Sequence, residues 1–144
     1  MERYALPNCL IGRTMVAVYK RWLARKAQAH RRRDRKRGNH TATITEYKQA
    51  IHEAVIASGE RDRFTGEDLD WSLISTYDNE LSKAQRRKYK AALSLLPTVD
   101  HIDDGTGPAN FQICGWRTND MKNDIPCDDF IGFCRSVVAW ADGH

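Results

Sequence analysis

The sequence predicts a single α+β domain: helices through the first two thirds of the chain, then a small two-strand unit closed by helices. Three observations point to it. Apolar residues recur at helical spacing on either side of residue 40. Two short alternating runs, Thr98-Val99-Asp100-His101-Ile102-Asp103 and Phe111-Gln112-Ile113-Cys114, flank a loop rich in Gly and Pro. A chain of 144 residues, 41% hydrophobic, has material for one modest core and is not compositionally disordered.

Residues 1–40 read as a basic helical segment. Val16, Tyr19, Leu23 and Ala27 share one face of a helix expected over about 11–37, with Lys20, Arg21, Arg25 and Lys26 interleaved. Its last turns carry His30-Arg31-Arg32-Arg33-Asp34-Arg35-Lys36-Arg37, and Gly38-Asn39 is a natural stop. Residues 41–96 read as helices and a short hairpin. Thr43-Ile44-Thr45-Glu46 has the pattern of a capping box, in which a hydroxyl and a carboxylate satisfy free amides. It opens a helix over about 44–57 with Ile44, Tyr47, Ile51 and Val55 on its apolar stripe, ended by Gly59. Residues 63–69 form a tight turn between short strands, where Gly66 supplies the backbone freedom. A helix is expected over about 83–95, cationic at Lys83, Arg86, Arg87, Lys88 and Lys90 and apolar at Tyr89, Leu93 and Leu96. Residues 97–144 hold the two alternating runs, a polar stretch of one or two helical turns at 117–123, and a last helix over about 128–140. Phe130, Phe133, Cys134, Val137, Val138 and Ala141 share a face of that helix, so Cys134 is expected to pack. Trp71, Trp116 and Trp140 are expected in the core.

The formal net charge of +4 hides an asymmetry. Residues 20–37 hold ten Lys/Arg against one Asp, whereas residues 95–144 hold three against eight. A cationic segment of this kind suits a polyanionic partner, although blocks of like charge are also often merely solvated. No stretch approaches the ~20 apolar residues of a membrane span, and no secretory h-region precedes Lys20. The expected setting is a reducing cytoplasm, of a bacterial or phage-infected cell type. Cys9, Cys114, Cys127 and Cys134 form no C-x-x-C pair, which disfavours a zinc knuckle or a thioredoxin-like site. Phosphate-binding glycine motifs are absent, so nucleotide-fold enzymes are disfavoured.

Asp100 and His101 are adjacent at the end of the first alternating run. A carboxylate beside an imidazole suits a hard cation and a general base. Asn110 follows, then Asn119 nine residues later and Lys122 three beyond that. Asp100-His101, Asn110-Phe111-Gln112, Asn119 and Lys122 resemble, in order and spacing, the ββα-metal motif of the His-Asn-His (HNH) endonucleases. The run Trp116, Arg117, Asn119, Lys122, Asp124 is similar to variants with Asn in place of the last His. The resemblance covers about residues 97–130. Phe64-Thr65-Gly66-Glu67 resembles the hairpin that often precedes the motif, but without zinc-binding cysteines, so no structural zinc is expected.

The resemblance implies a ββα-metal core near the C-terminus, surrounded by helices, and metal-dependent hydrolysis of DNA. Asp100 and Asn119 would hold one divalent cation, Mg²⁺ or Mn²⁺. Asn123, four residues on, is an alternative ligand, and Asp103 and Asp104 could approach if their loop folds back. His101 would take a proton from the attacking water, and Asn110 would brace the loop that orients it. Arg117 and Lys122 would contact phosphate. Arg31, Arg32, Arg33, Arg35, Lys36 and Arg37 are the expected grip on the nucleic-acid backbone. One motif cuts one strand, so a monomer would nick and a homodimer would break both. A non-catalytic nucleic-acid binder of HNH-like fold, or a nuclease of RNA or branched DNA, stays open as an alternative.

Overall fold

The computed structural model describes residues 3–75 and 91–144. Its architecture is α+β, with α-helices and, among the described residues, one two-stranded antiparallel sheet. Helix α1 spans Val16–Lys36 and helix α2 Ile44–Ser58; strands β1 (Pro97–His101) and β2 (Phe111–Gly115) are followed by α3 (Trp116–Lys122) and α4 (Cys127–Gly143). Among the described residues no helix is long and apolar enough to cross a membrane.

Helix α1 starts at Val16 rather than near Ile11. Gly12 takes φ +84°, a left-handed conformation that breaks a right-handed helix, and Arg13 and Thr14 fold back to the Leu10 carbonyl instead. Tyr19, Leu23 and Ala27 are buried as their spacing predicts, joined by Trp22. Val16 falls outside that face and is exposed.

Helix α2 begins with the expected capping box. The Glu46 amide donates to Thr43 Oγ1 at 3.2 Å, and the Thr43 amide donates to Glu46 Oε1 at 3.1 Å. Tyr47, Ile51 and Val55 face the core, and the Gly59 amide closes the helix on Val55. Helix α1 packs on α2, and α2 on β2. Between them Trp22 meets Trp71 edge to face with ring centres 5.0 Å apart, and Trp71 Nε1 donates to the Gly59 carbonyl.

Residues 61–68 turn tightly around Gly66 (φ +74°), but they form a single bridge, Arg61 to Asp68, and not two strands. Buried Asp62 satisfies the segment in place of a ladder. Its carboxylate accepts from the Phe64 and Thr65 amides, and from the Gly115 amide at the end of β2. The turn is thereby pinned to the sheet. The cationic residues Lys83, Arg86, Arg87, Lys88 and Lys90, with Tyr89, lie outside the described residues; Leu93 and Leu96 are buried.

Strands β1 and β2 pair with Asp100 opposite Gln112 and His101 opposite Phe111. The Asn39 side-chain amide, just beyond α1, donates to the Gly105 and Gly107 carbonyls at 2.6 and 3.0 Å. Gly105 sits at φ +78°, and a Cβ there would lie 3.2 Å from the His101 ring. The loop is therefore laid against the imidazole and clamped to the N-terminal helices.

Helix α4 departs from expectation. It meets the rest of the fold near its start, where Phe130 packs edge to face on Phe64, and none of its residues is buried. Phe133, Val137, Val138 and Trp140, expected to pack, are exposed among the described residues, and so is Cys134. Trp71 is buried and Trp116 half-buried, whereas Trp140 is 68% exposed. Amphipathic spacing shows which face of a helix is apolar but not whether another element reaches it.

Replacing Asn39 with Ala leaves two loop carbonyls without their donor. The expected cost is about 1–3 kcal/mol, read as a lowered urea midpoint at unchanged slope.

Candidate active site

Alternation along a strand sends neighbouring side chains to opposite faces. Strand β1 ends at His101, and Asp100 and His101 both border one cavity of about 270 Å³. Its other walls come from the end of α1 and its cap (His30, Arg33, Asp34, Arg37), from Val99 and Trp116, and from the end of α3 and beyond (Asn119, Asp120, Asn123, Asp124). The expected metal ligands and base, Asp100, His101, Asn119 and Asn123, thus share a cavity, with Arg33 and Arg37 of the expected nucleic-acid grip beside them. Asn123 ends α3 in a left-handed turn, φ +53°, with its amide bonded to the Asn119 carbonyl.

Asp100 is buried, and its Oδ2 accepts from Gln112 Nε2 at 2.9 Å and Lys122 Nζ at 3.0 Å. The Lys122 side chain is only 4% exposed. Lys122 is therefore an internal counter-charge and not a surface contact for phosphate, because a buried ammonium needs a carboxylate beside it. Arg117, the other expected phosphate contact near the motif, is half-buried and ion-paired with Glu67. Hydrogen bonding by Thr65, then by Arg117, holds the Glu67 carboxyl below its ordinary range. Asn110 acts through its backbone: its carbonyl accepts from the Ile102 amide, while its side chain is exposed. Asn39 supplies the side-chain brace expected of Asn110, because it reaches the loop carbonyls from inside.

His101 has a partner 67 positions away. Its Nε2 lies 2.9 Å from Asp34 Oδ1, and the Tyr47 hydroxyl donates to Asp34 Oδ2 at 2.6 Å. Burial first, then the bond to Asp34, raises the Tyr47 hydroxyl's pKa. His101 Nδ1 is buried and has no hydrogen-bond partner among the described residues. The imidazole is wedged between Phe111, with ring centres 4.8 Å apart, and His30, edge-on at 5.4 Å. Burial, with Arg33 next in weight, pushes His30 down to about 3, so its ring is neutral.

Helical geometry divides the basic run. Arg33 and Arg37, one turn apart, border the cavity with His30 and Asp34. Arg31, Arg32, Arg35 and Lys36 line a separate groove with Gln28 and Ile44. The six cations thus serve two faces of α1 rather than one strip.

Asp34, Tyr47, His30 and Asn39 were not singled out as site residues by the sequence. One signal was present for the first: position 34 continues the buried series Tyr19, Leu23, Ala27, His30 at steps of three and four. Its charge, among arginines, hides this.

The cavity offers oxygen donors from Asp100, Asn119 and Asn123, with Asp120 and Asp124 beside them. That chemistry fits a hard cation such as Mg²⁺ or Mn²⁺ and not a thiolate-seeking metal. The carboxylate Oδ2 of Asp100 is already engaged, so a cation would use Oδ1. Among the described residues no three His, Cys, Asp or Glu side chains gather as a metal-binding group. Compared with known proteins, the chain matches no family model, no curated protein and no solved structure.

Two outcomes are expected from these buried groups. Unfolding exposes His30, whose pKa then returns to the ordinary imidazole value near 6.5. Between that value and about 3 the unfolded chain binds the extra proton, so His30 favours folding above pH 6.5 and this contribution falls as pH drops. His30→Phe should flatten the slope of stability against pH in that window by up to about 1.4 kcal/mol per unit. Lys122→Met strips Asp100 of its buried counter-charge and should cost about 3–5 kcal/mol in urea unfolding at pH 7.

Proposed function

We propose that the chain is a metal-dependent endonuclease of the HNH type, hydrolysing DNA phosphodiester bonds. The observation that carries this is the shared cavity of Asp100, His101, Asn119 and Asn123, walled by Arg33 and Arg37. The succession β1, β2, α3 also supports it: an antiparallel pair followed at once by a short helix is the order a ββα-metal core requires.

The resemblance to the HNH motif implies the residue roles. Asp100 and Asn119, with Asn123 as the alternative, would hold one Mg²⁺ or Mn²⁺ through oxygen. When bound, such a cation polarises the scissile phosphate and stabilises charge on the leaving 3′ oxygen. His101 accepts the proton of the attacking water. Arg33 and Arg37 are placed to pair with phosphate oxygens next to the cavity, and Arg31, Arg32, Arg35 and Lys36 would neutralise phosphates further along the backbone. General-base action alone is worth ~10²–10⁴-fold, so a large share falls to charge stabilisation.

A second reading has one observation in its favour. Lys122 already gives Asp100 its counter-charge, as suits a nucleic-acid-binding module of this fold that does not cut. Incubation of supercoiled plasmid with the protein separates the two. Nicking is expected with Mg²⁺ or Mn²⁺, abolished by EDTA and reduced at least 10²-fold in His101→Ala. Equal cutting by His101→Ala defeats the assigned base, and retention of DNA without cutting in either metal favours the binder. Parallel reactions on single-stranded RNA and a four-way DNA junction decide the substrate. Replacing Arg31, Arg32 and Arg35 with Ala should lower DNA affinity and reduce the slope of log K against log salt by about 2–3.

A further inference from the structure

We infer that Asp34 is a positioning residue that holds His101 as the tautomer protonated on Nε2, which leaves Nδ1 as the basic nitrogen. This rests on the proposed role of His101 as the proton acceptor, and it adds which nitrogen accepts and what fixes it.

The geometry narrows the choice. Asp34 Oδ1 lies 2.9 Å from His101 Nε2, and a carboxylate oxygen can only accept there, so Nε2 carries the hydrogen. A neutral imidazole has one N–H, so Nδ1 bears the lone pair. Nδ1 is buried and has no hydrogen-bond partner among the described residues, so it is the ring nitrogen left without a bond once Asp34 holds Nε2. The opposite tautomer would set a lone pair against the carboxylate and bury a Nδ1–H with no acceptor.

Asp34 is itself held. Tyr47 donates to its second oxygen at 2.6 Å, so the carboxylate cannot swing away without stranding a buried hydroxyl. Ring contacts with Phe111 and His30 and the close approach of Gly105 fix the imidazole plane. The chain Tyr47–Asp34–His101 therefore reaches from α2 through α1 to the end of β1. Its middle member, Asp34, follows Arg33 on the part of α1 that borders the cavity.

The test reads the imidazole directly. In ¹⁵N-labelled protein at pH about 8, above the ordinary imidazole range, the His101 signals are identified by their loss in His101→Gln. The wild type should show an unprotonated Nδ1 and a protonated Nε2. Asp34→Asn, whose amide can present either a donor or an acceptor, should shift the signals toward a mixture of tautomers. It should also lower kcat on nicked-plasmid assays by about 10–100-fold with little change in KM. Tyr47→Phe keeps Asp34 and should keep the tautomer, with a drop of no more than about 5-fold. A protonated Nδ1 in the wild type, or unchanged signals in folded Asp34→Asn, overturns the inference. Should Asp34→Asn fail to fold, the wild-type spectrum alone decides between the two tautomers. A tautomer shift in a protein that cuts nothing upholds the positioning and removes the catalytic role from His101.

Discussion

The carboxylate of Asp34 must be buried and satisfied at once, on a helix whose neighbouring side chains are cations. Taking a carboxylate out of water costs several kcal/mol unless good hydrogen bonds replace its hydration. Here the replacements come from two other elements: the hydroxyl of Tyr47 on α2 and the imidazole of His101 at the end of β1. The bond to His101 is also one of the few polar links between the N-terminal helices and the C-terminal sheet. It ties the strand end that carries Asp100 and His101 to α1, beside the cavity that both elements line.

The same helix decides how the cationic run is used. With 3.6 residues per turn, seven consecutive residues cannot share one surface. Burial of His30 and Asp34 sets the rotation of α1, and the rotation assigns Arg33 and Arg37 to the cavity and Arg31, Arg32, Arg35 and Lys36 to the groove beyond it. The buried face of α1, with His30 and Asp34 at its end, therefore sets the positions of the six bases around it.

Asp100 illustrates a second constraint. It is paired internally with Lys122 and Gln112, which fixes its orientation but engages one oxygen. The sheet end around it is held by groups remote in sequence. Asp62 gathers the turn before the strands, and Asn39 gathers the loop between them. Both use side-chain polar atoms to satisfy backbone groups where a two-stranded sheet supplies too few partners. The residues that shape the site are thus mostly outside the segment that carries its chemistry.

Much of this was legible in the sequence. Helical spacing located α1 and α2, the capping box fixed where α2 starts, and alternation located both strands, because these are local patterns of burial and backbone satisfaction. The order of Asp100, His101 and Asn119 marks three residues that share the cavity. Tertiary structure decided the rest. It turned Lys122 inward and gave Arg117 to Glu67, left the apolar face of α4 open among the described residues, and moved the loop brace from Asn110 to Asn39. Above all it joined Asp34 to His101 across 67 positions. A sequence records the spacing and character of side chains. Which buried polar group meets which is settled by packing, because a hydrogen bond depends on distance in space and not along the chain.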